Sequence, residues 1–451
     1  MDKVLVANRG EIALRVVRAC RALHLATVAV YSSADEHALH VREADEAICI
    51  GPPRAVDSYL NVGAIVDAAL RSGADAVHPG YGFLAENAVF AHACREAGLV
   101  FVGPSPDAIE VMGDKARARE LAAAAGAPTI PGSAGAMTVE EAFERAHEIG
   151  YPVLLKAAAG GGGRGIRIAA DPAELVSVFQ QAALEAAAAF GDGSLYLEKF
   201  LDPARHVEVQ VLGDGRGGLV HVLERECSLQ RRRQKLIEES PSPALDDDTR
   251  AAMAAAALRI ADAVDYESAG TVEFLLGGDG AFYFIEMNTR IQVEHPVTEM
   301  VAGVDLVQEQ LRIAAGDGMS FRQEDVALRG AAIEVRINAE DPAQAFMPSP
   351  GEITAFEPPG GEGVRVDTAA YTGYRVPPFY DSLVAKLIVW GEDRAEALGR
   401  TAGALRSFRV DGIATTIPFA LELLADPQVR AGDYDVALVE RRLAESVRIP
   451  P

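Results

Sequence analysis

Short apolar runs alternate with helix-spaced apolar positions over the first hundred residues. The run KVLVAN at 3–8 ends in Asn8-Arg9-Gly10, after which Ile12, Val16, Ala19, Cys20 and Leu23 recur along one helical face. TVAVYS at 27, AICIG at 47, AVHPG at 76 and LVFVG at 99 repeat the apolar run, with helical stretches at 61–71 and 86–97 between them. Such alternation predicts a parallel sheet wrapped by helices over residues 1–112. The first turn, ANRGEIA, lacks the second and third glycines of a dinucleotide-binding fingerprint, which argues against that reading.

Beyond 113 the pattern changes. Two Ala-rich helices lead to the strand PVLLK, a glycine run, the strand GIRIA, a helix over 172–189 and the strand LYLEKF. From 204 to 290 the chain is strand-rich, and from 327 the alternating strand AIEVRINAE opens a mixed α+β region with Gly/Pro-rich turns at 348–363 and a helix at 393–407. The expected domains are 1–112, 113–326 (with a flap subdomain at about 130–203) and 327–451.

Composition narrows the class. Of 451 residues, 49% are hydrophobic and 24% charged, which is ordinary for a folded chain and excludes disorder throughout. A net charge of −24 repels phosphate backbones and anionic lipid, so neither nucleic acid nor membrane is expected as a partner. The four cysteines form no CxxC pair, so neither a disulfide framework nor a zinc site is expected. With no charged-then-apolar leader and no run of ~20 apolar residues, the expected location is the cytoplasm.

Several stretches carry candidate chemistry. Lys156-Ala-Ala-Ala-Gly160-Gly161-Gly162-Gly163-Arg164-Gly165 lies between two strands and lacks the Gly-Lys-Ser/Thr and helix of a P-loop. It reads as a hairpin flap whose backbone N–H groups cover phosphates, with Lys156 at its base. In TVEFLLGGDGAFYFIEMNTR, a two-residue turn at Asp279-Gly280 sets Glu273 opposite Glu286, with Asn288 two residues on. Facing carboxylates repel unless a cation sits between them, and this all-oxygen set suits Mg²⁺ or Mn²⁺. His206, Glu208 and Gln210 share one strand face, followed by the basic island Gln230-Arg-Arg-Arg-Gln-Lys235, a candidate anion site. Alternation through Arg290-Ile-Gln292-Val293-Glu294 places a guanidinium, an amide and a carboxylate on one side, suited to binding and deprotonating a small oxyanion acid. By parity His295 points away and reads as structural. Arg336 shares a strand face with Glu334 and Asn338.

Beyond these, ANRGEIALRV (7–16), HPGYGFLAEN (78–87), MGDK (112–115), KAAAGGGGRGIR (156–167), RHVEVQV (205–211), ERECSLQRRRQK (224–235), FIEMNTRIQVEHPVTE (284–299), INAEDP (337–342) and PPFYDSLVAKL (377–387) closely resemble the biotin carboxylase family of the ATP-grasp superfamily, essentially end to end. The resemblance implies an α/β and α+β protein: an ATP-grasp fold with an N-terminal doubly wound parallel-sheet domain and a C-terminal mixed α+β domain. It implies that Lys115, Lys156, Gly161, Gly162, Gly163, His206, Gln230, Glu273 and Glu286 serve ATP, and that Glu198 with the backbone of Lys199 and Leu201 holds adenine. Glu273, Glu286 and Asn288 would bind two Mg²⁺ or Mn²⁺ ions. Lys235, Arg290, Gln292 and the Val293 backbone would hold bicarbonate, Glu294 would be its general base, and Arg336 would stabilise the enolate of biotin.

The implied reaction carboxylates carrier-tethered biotin through carboxyphosphate, as the first half-reaction of acetyl-CoA carboxylase, with propionyl-CoA or another acyl-CoA system as the alternative. An ATP-grasp carboxylate–amine ligase and a non-catalytic nucleotide-binding homologue are less favoured. With no Ala-Met-Lys-Met motif, the biotin carboxyl carrier protein and the carboxyltransferase are expected to be separate chains, and the family suggests a homodimer. One departure stands out: Arg233 occupies a position where the family usually has His, near the nucleotide ribose.

Overall fold

The computed structural model describes residues 1–133, 135–157 and 166–448. The glycine run from 160 to 163 lies outside them. The opening alternation becomes a five-stranded parallel sheet in the order Glu46–Gly51, Ala26–Ser32, Lys3–Val6, Ala76–His78, Val100–Phe101. Successive residues of the central strand enter different cores. Leu5 packs with Val28, Val77 and the helices Val62–Ser72 and Ala88–Glu96, whereas Val4 and Val6 pack with the helix Gly10–Ala22. Burial on both faces is what a parallel sheet requires. The second core also takes in Leu306, Val307 and Leu311 of the helix Leu306–Ala315, so this domain is joined to the rest by apolar packing.

Two main antiparallel sheets follow, beside three two-stranded antiparallel pairs. The smaller has Val153–Ala157 between Ile166–Ala169 and Leu195–Lys199. The larger has eight strands in the order Phe282–Asn288, Glu267–Gly277, Ala204–Asp214, Leu219–Arg231, Gln234–Ser240, Ala331–Asn338, Leu383–Gly391, Val364–Thr368. It runs unbroken past residue 327, because Gln234–Ser240 pairs with Ala331–Asn338. Val207, Val209 and Val211 face the helix Asp247–Asp262 through Met253, Ala257 and Ile260. The opposite face bears the polar positions and is covered by the helix His295–Ala302 through Val297 and Val301. Among the described residues, no helix is long and apolar enough to cross a membrane.

The carboxylate hairpin pairs Glu273 with Glu286 by a different route from the one expected. Its loop is not the two residues Asp279-Gly280 but three, Gly278 to Gly280, closed by Gly280 N–H to the Gly277 carbonyl at 3.0 Å and by Gly277 N–H to the Ala281 carbonyl at 2.7 Å. Only Gly280 has a positive φ, +81°, as in a type I turn followed by a left-handed residue. That loop shifts the register by one, pairing Phe274 with Phe284. A bulge between Phe284 and Glu286 then takes up the extra residue. Phe282 and Phe284 face the core, so regular alternation would have sent Glu286 there too. The bulge instead gives that place to Met287 and leaves Glu286 beside Glu273.

Candidate active site

The polar face of the large sheet is assembled by register. Glu208 lies across the ladder from Glu273 on one side and Arg225 on the other, with His206 and Gln210 two residues away along the strand. It is not a wet face: Glu208, Gln210 and Arg225 are fully buried. Arg225 donates to Glu208 Oε1 (2.5 Å), Gln210 Oε1 (2.8 Å), Thr271 Oγ1 (3.0 Å) and Thr298 Oγ1 (3.0 Å). A buried guanidinium is tolerated only with its donors satisfied, and this one ties three strands to the covering helix.

Lys235 is the hub. Its Nζ donates to Glu208 Oε2 and Glu294 Oε1 (both 2.6 Å) and to Glu273 Oε1 (3.2 Å). Burial works against its charge, but the three carboxylates outweigh burial and hold its pKa well above the usual lysine value. Glu294, 0% exposed, is also bound by Arg336, whose Nη2 lies 2.9 Å from its Oε2. Burial would raise this carboxyl, yet Lys235, Arg336 and Arg225 hold it well below the ordinary range. Arg336 donates its Nε to Glu238 (2.6 Å) as well.

Glu273 collects Lys235, the Nε2 of His206 (3.0 Å), the Asn288 amide (2.9 Å) and the Gln292 amide (3.3 Å). Against burial, Lys235 and His206 hold it below the usual carboxylate range, and Glu273 in turn raises the His206 pKa. Glu286, about one-third exposed, meets Lys115 Nζ at 3.0 Å. The donors Glu273, Glu286 and Asn288 are all oxygen-bearing, as a hard divalent cation needs. As placed, however, Asn288 turns its NH₂ to Glu273 and its Oδ1 to Arg290 (3.0 Å), so ligation by its oxygen requires an amide flip.

Arg290, Gln292 and Glu294 come together, but not as alternate residues of a strand. The strand ends at Asn288, and residues 289–294 form a turn leading into the helix at His295. Arg290 reaches Gln292 Oε1 (3.0 Å), and Glu86 of the N-terminal domain holds it at Nε (2.9 Å) while accepting the Thr289 N–H (3.1 Å). On the small sheet, Lys156 bonds Glu198, and Arg119 bonds the other Glu198 oxygen at 2.9 Å. Lys199 donates its backbone N–H to Pro131 and its Nζ to the carbonyls of Gly150 and Tyr151. Leu201 follows that strand, and Gln230 sits across the ladder from Lys235. Gly161, Gly162 and Gly163 lie outside the described residues.

Sequence reasoning missed Arg225, Glu86, Arg119 and Glu238. Arg225 was findable, since it shares strand parity with Cys227 in ERECSLQ and a strand of that pattern must bury one face. Glu86 and Arg119 meet the site only through tertiary packing.

Residues 114–321 match the family described as carbamoyl-phosphate synthase L chain, ATP binding domain, which places the chain in the ATP-grasp class. Residues 1–109 match the biotin carboxylase N-terminal domain and 334–441 the biotin carboxylase C-terminal domain. Biotin carboxylase 1 of Bacillus subtilis is 57% identical over 442 residues, 98% of each chain. A pyruvate carboxylase component from Methanothermobacter thermautotrophicus is 51% identical, over 97% of this chain and 89% of that one. The biotin carboxylase domain dimer of Hydrogenobacter thermophilus 2-oxoglutarate carboxylase, solved with MgADP, ADP and bicarbonate, superposes with a TM-score of 0.91 at 51% identity, covering 98% of this chain and 97% of that one. This chain belongs to the biotin carboxylase family. It is an ATP-grasp ligase that carboxylates biotin at the expense of ATP, with Mg²⁺ accompanying the nucleotide.

Proposed function

We propose that this chain is the biotin carboxylase component of an acetyl-CoA carboxylase, catalysing the first half-reaction toward malonyl-CoA in fatty acid synthesis. It acts as a cytoplasmic homodimer on biotin tethered to a separate carrier protein, with a carboxyltransferase downstream. The observation that carries the chemistry is Glu294, buried and bound at once by Lys235 on one oxygen and Arg336 on the other. One carboxylate thereby joins a bicarbonate subsite (Lys235, Arg290, Gln292 and the Val293 backbone) to a biotin subsite at Arg336.

With both cations in place Glu294 is a weak base. Bicarbonate entering between them takes over the Lys235 bond, which frees Glu294 to accept its proton as the oxygen attacks the γ-phosphorus and ADP leaves. The carboxyphosphate formed decomposes to CO₂ and phosphate, the phosphate takes the biotin N1′ proton, and the enolate, its oxygen against Arg336, captures CO₂. Lys115, Lys156, His206 and Gln230 contact ATP, Glu198 with the backbone of Lys199 and Leu201 holds adenine, and Glu273, Glu286 and Asn288 would hold two ions, Mg²⁺ or Mn²⁺. Bound there, the ions offset phosphate charge.

Two substitutions separate the half-reactions. Glu294→Gln is expected to lose bicarbonate-dependent ATP cleavage together with biotin carboxylation. Arg336→Gln is expected to slow biotin carboxylation by roughly 10²–10³, as oxyanion-hole donors do, while biotin-independent ATP hydrolysis changes far less. Equal loss of both activities in Arg336→Gln overturns its assignment.

A second reading is a component of a 2-oxo acid carboxylase, because relatives at 51–52% identity are named as parts of pyruvate carboxylase and of 2-oxoglutarate carboxylase. Recovering the biotinylated protein that co-purifies with the chain, and testing that complex on acetyl-CoA, propionyl-CoA, pyruvate and 2-oxoglutarate, decides among them.

A further inference from the structure

The turn that carries Gln292, Val293 and Glu294 has no sheet or helix to fix its peptide planes, yet the proposed bicarbonate subsite needs one backbone N–H, that of Val293, aimed into it. Two fully buried side chains grip the carbonyls on either side. The ring of His295 lies with Nδ1 2.7 Å from the Gln292 carbonyl, and Lys386 Nζ lies 2.8 Å from the Val293 carbonyl. A carbonyl can only accept, so the His295 proton sits on Nδ1. The ring stays neutral, because burial, with Lys386, Arg15 and Arg365 nearby, holds its pKa well below the usual histidine value. The backbone N–H of His295 also points at the Gln292 carbonyl, but at 3.4 Å, so the ring makes the shorter contact.

The peptide geometry does the rest. In a trans peptide the carbonyl and the following N–H point in opposite directions. Fixing the Gln292 carbonyl on His295 therefore fixes the Val293 N–H on the far side, and fixing the Val293 carbonyl on Lys386 fixes the next plane. The Val293 N–H donates to no described residue, so it is free for a ligand. Lys386 is itself anchored by Glu11 of the N-terminal domain at 3.2 Å, with Asp367 at 3.9 Å.

We infer that His295 and Lys386 are positioning residues, which lock the two peptide planes flanking Val293 and so pre-aim its N–H at the bicarbonate oxygen. The inference rests on the proposed bicarbonate subsite. Neither residue touches substrate; each acts through the backbone.

The test is a split between Michaelis constants in the full chain. His295→Leu is expected to raise KM for bicarbonate at least tenfold and leave KM for ATP within twofold. His295→Asn, whose amide donates from the place of Nδ1, is expected to return KM for bicarbonate to within threefold of the parent. Should His295→Leu not fold, His295→Gln, whose amide reaches the Nε2 position instead, provides the same contrast. Lys386→Met, made with Glu11→Gln to keep the buried charge balanced, is expected to show the same split. Unchanged KM for bicarbonate, or equal rises for bicarbonate and ATP, overturns the inference. Arg290→Ala separates the two layers: if it too leaves KM for bicarbonate unchanged, the subsite is wrong, whereas if it alone raises KM, only the positioning role falls.

Discussion

Glu286 and Glu238 show how one residue type is put to opposite uses. Glu286 stands beside Glu273 with only Lys115 as a described cationic partner, an arrangement whose charge a divalent ion would complete. Glu286→Gln keeps the shape and removes the charge. It should abolish Mg²⁺-dependent ATP turnover while the melting temperature stays within a few degrees, and normal turnover would sink the metal assignment. Glu238 is fully buried, faces Glu334 across the ladder and has Oε2 without a hydrogen-bond partner. Burial pushes its carboxyl up to about 7, with Glu294 adding to the rise and Arg336 opposing it. A folded-state pKa above the unfolded one contributes stability that is fully present below about 4.5 and lost as pH rises through 7. Glu238→Gln removes that dependence. Urea unfolding at pH 5 and pH 8 should therefore show the variant gaining on the parent, on the order of 2–3 kcal/mol, toward pH 8; a gain toward pH 5 would reverse the sign and refute it.

At the scale of elements, two hairpins set the site, and each uses a backbone device that side-chain pattern reports poorly. In the first, the Glu273–Glu286 pairing expected from a two-residue turn is found, but it arises from a three-residue loop and a bulge whose register shifts cancel. Alternation made the valine face of Ala204–Asp214 legible, because burial against a helix leaves a period of two. It could not reveal the bulge, which breaks the period, nor that Arg290, Gln292 and Glu294 meet in a turn rather than on a strand. In the second hairpin, Arg231 pairs with Gln234, and Arg232 and Arg233 form the two-residue turn with φ of +47° and +66°. Both are exposed and neither is a residue that favours the left-handed region. Replacing them with Asn-Gly, the preferred pair, should stabilise the fold by about 1 kcal/mol, the strain relieved being partly offset by the freedom glycine brings to the unfolded chain. The same double variant tests the departure at 233. Unchanged KM for ATP would mean that Arg233 is only a turn residue; a rise would mean that it reaches the nucleotide.

Across the whole molecule, the active site of an acidic chain is a place where scarce cations are concentrated and held by carboxylates from distant parts of the sequence. The N-terminal domain supplies several of these ties. Glu11 anchors Lys386, Arg15 bridges Glu299 and Asp305, and Glu86 reaches over to Arg290. None of these pairings is visible in one dimension, since the partners are separated by some 200 residues or more and share no periodicity; what the sequence did carry were the motifs in which each partner sits. Glu86 is the tie most open to test. It holds Arg290 by charge at 2.9 Å and the strand exit by the Thr289 N–H at 3.1 Å. A charge-assisted hydrogen bond is worth about 1.5–3 kcal/mol when shielded, and less here, where the Glu86 side chain is 40% exposed. Glu86→Ala is therefore expected to raise KM for bicarbonate roughly threefold to tenfold with KM for ATP unchanged, because Arg290 loses the contact that orients it. Glu86→Gln keeps an acceptor for the Thr289 N–H and should lie between the two. Steady-state kinetics with bicarbonate as the varied substrate give the answer. A fall in KM would mean that Glu86 restrains Arg290 from bicarbonate rather than presenting it, and the N-terminal domain would then act on this site as a brake.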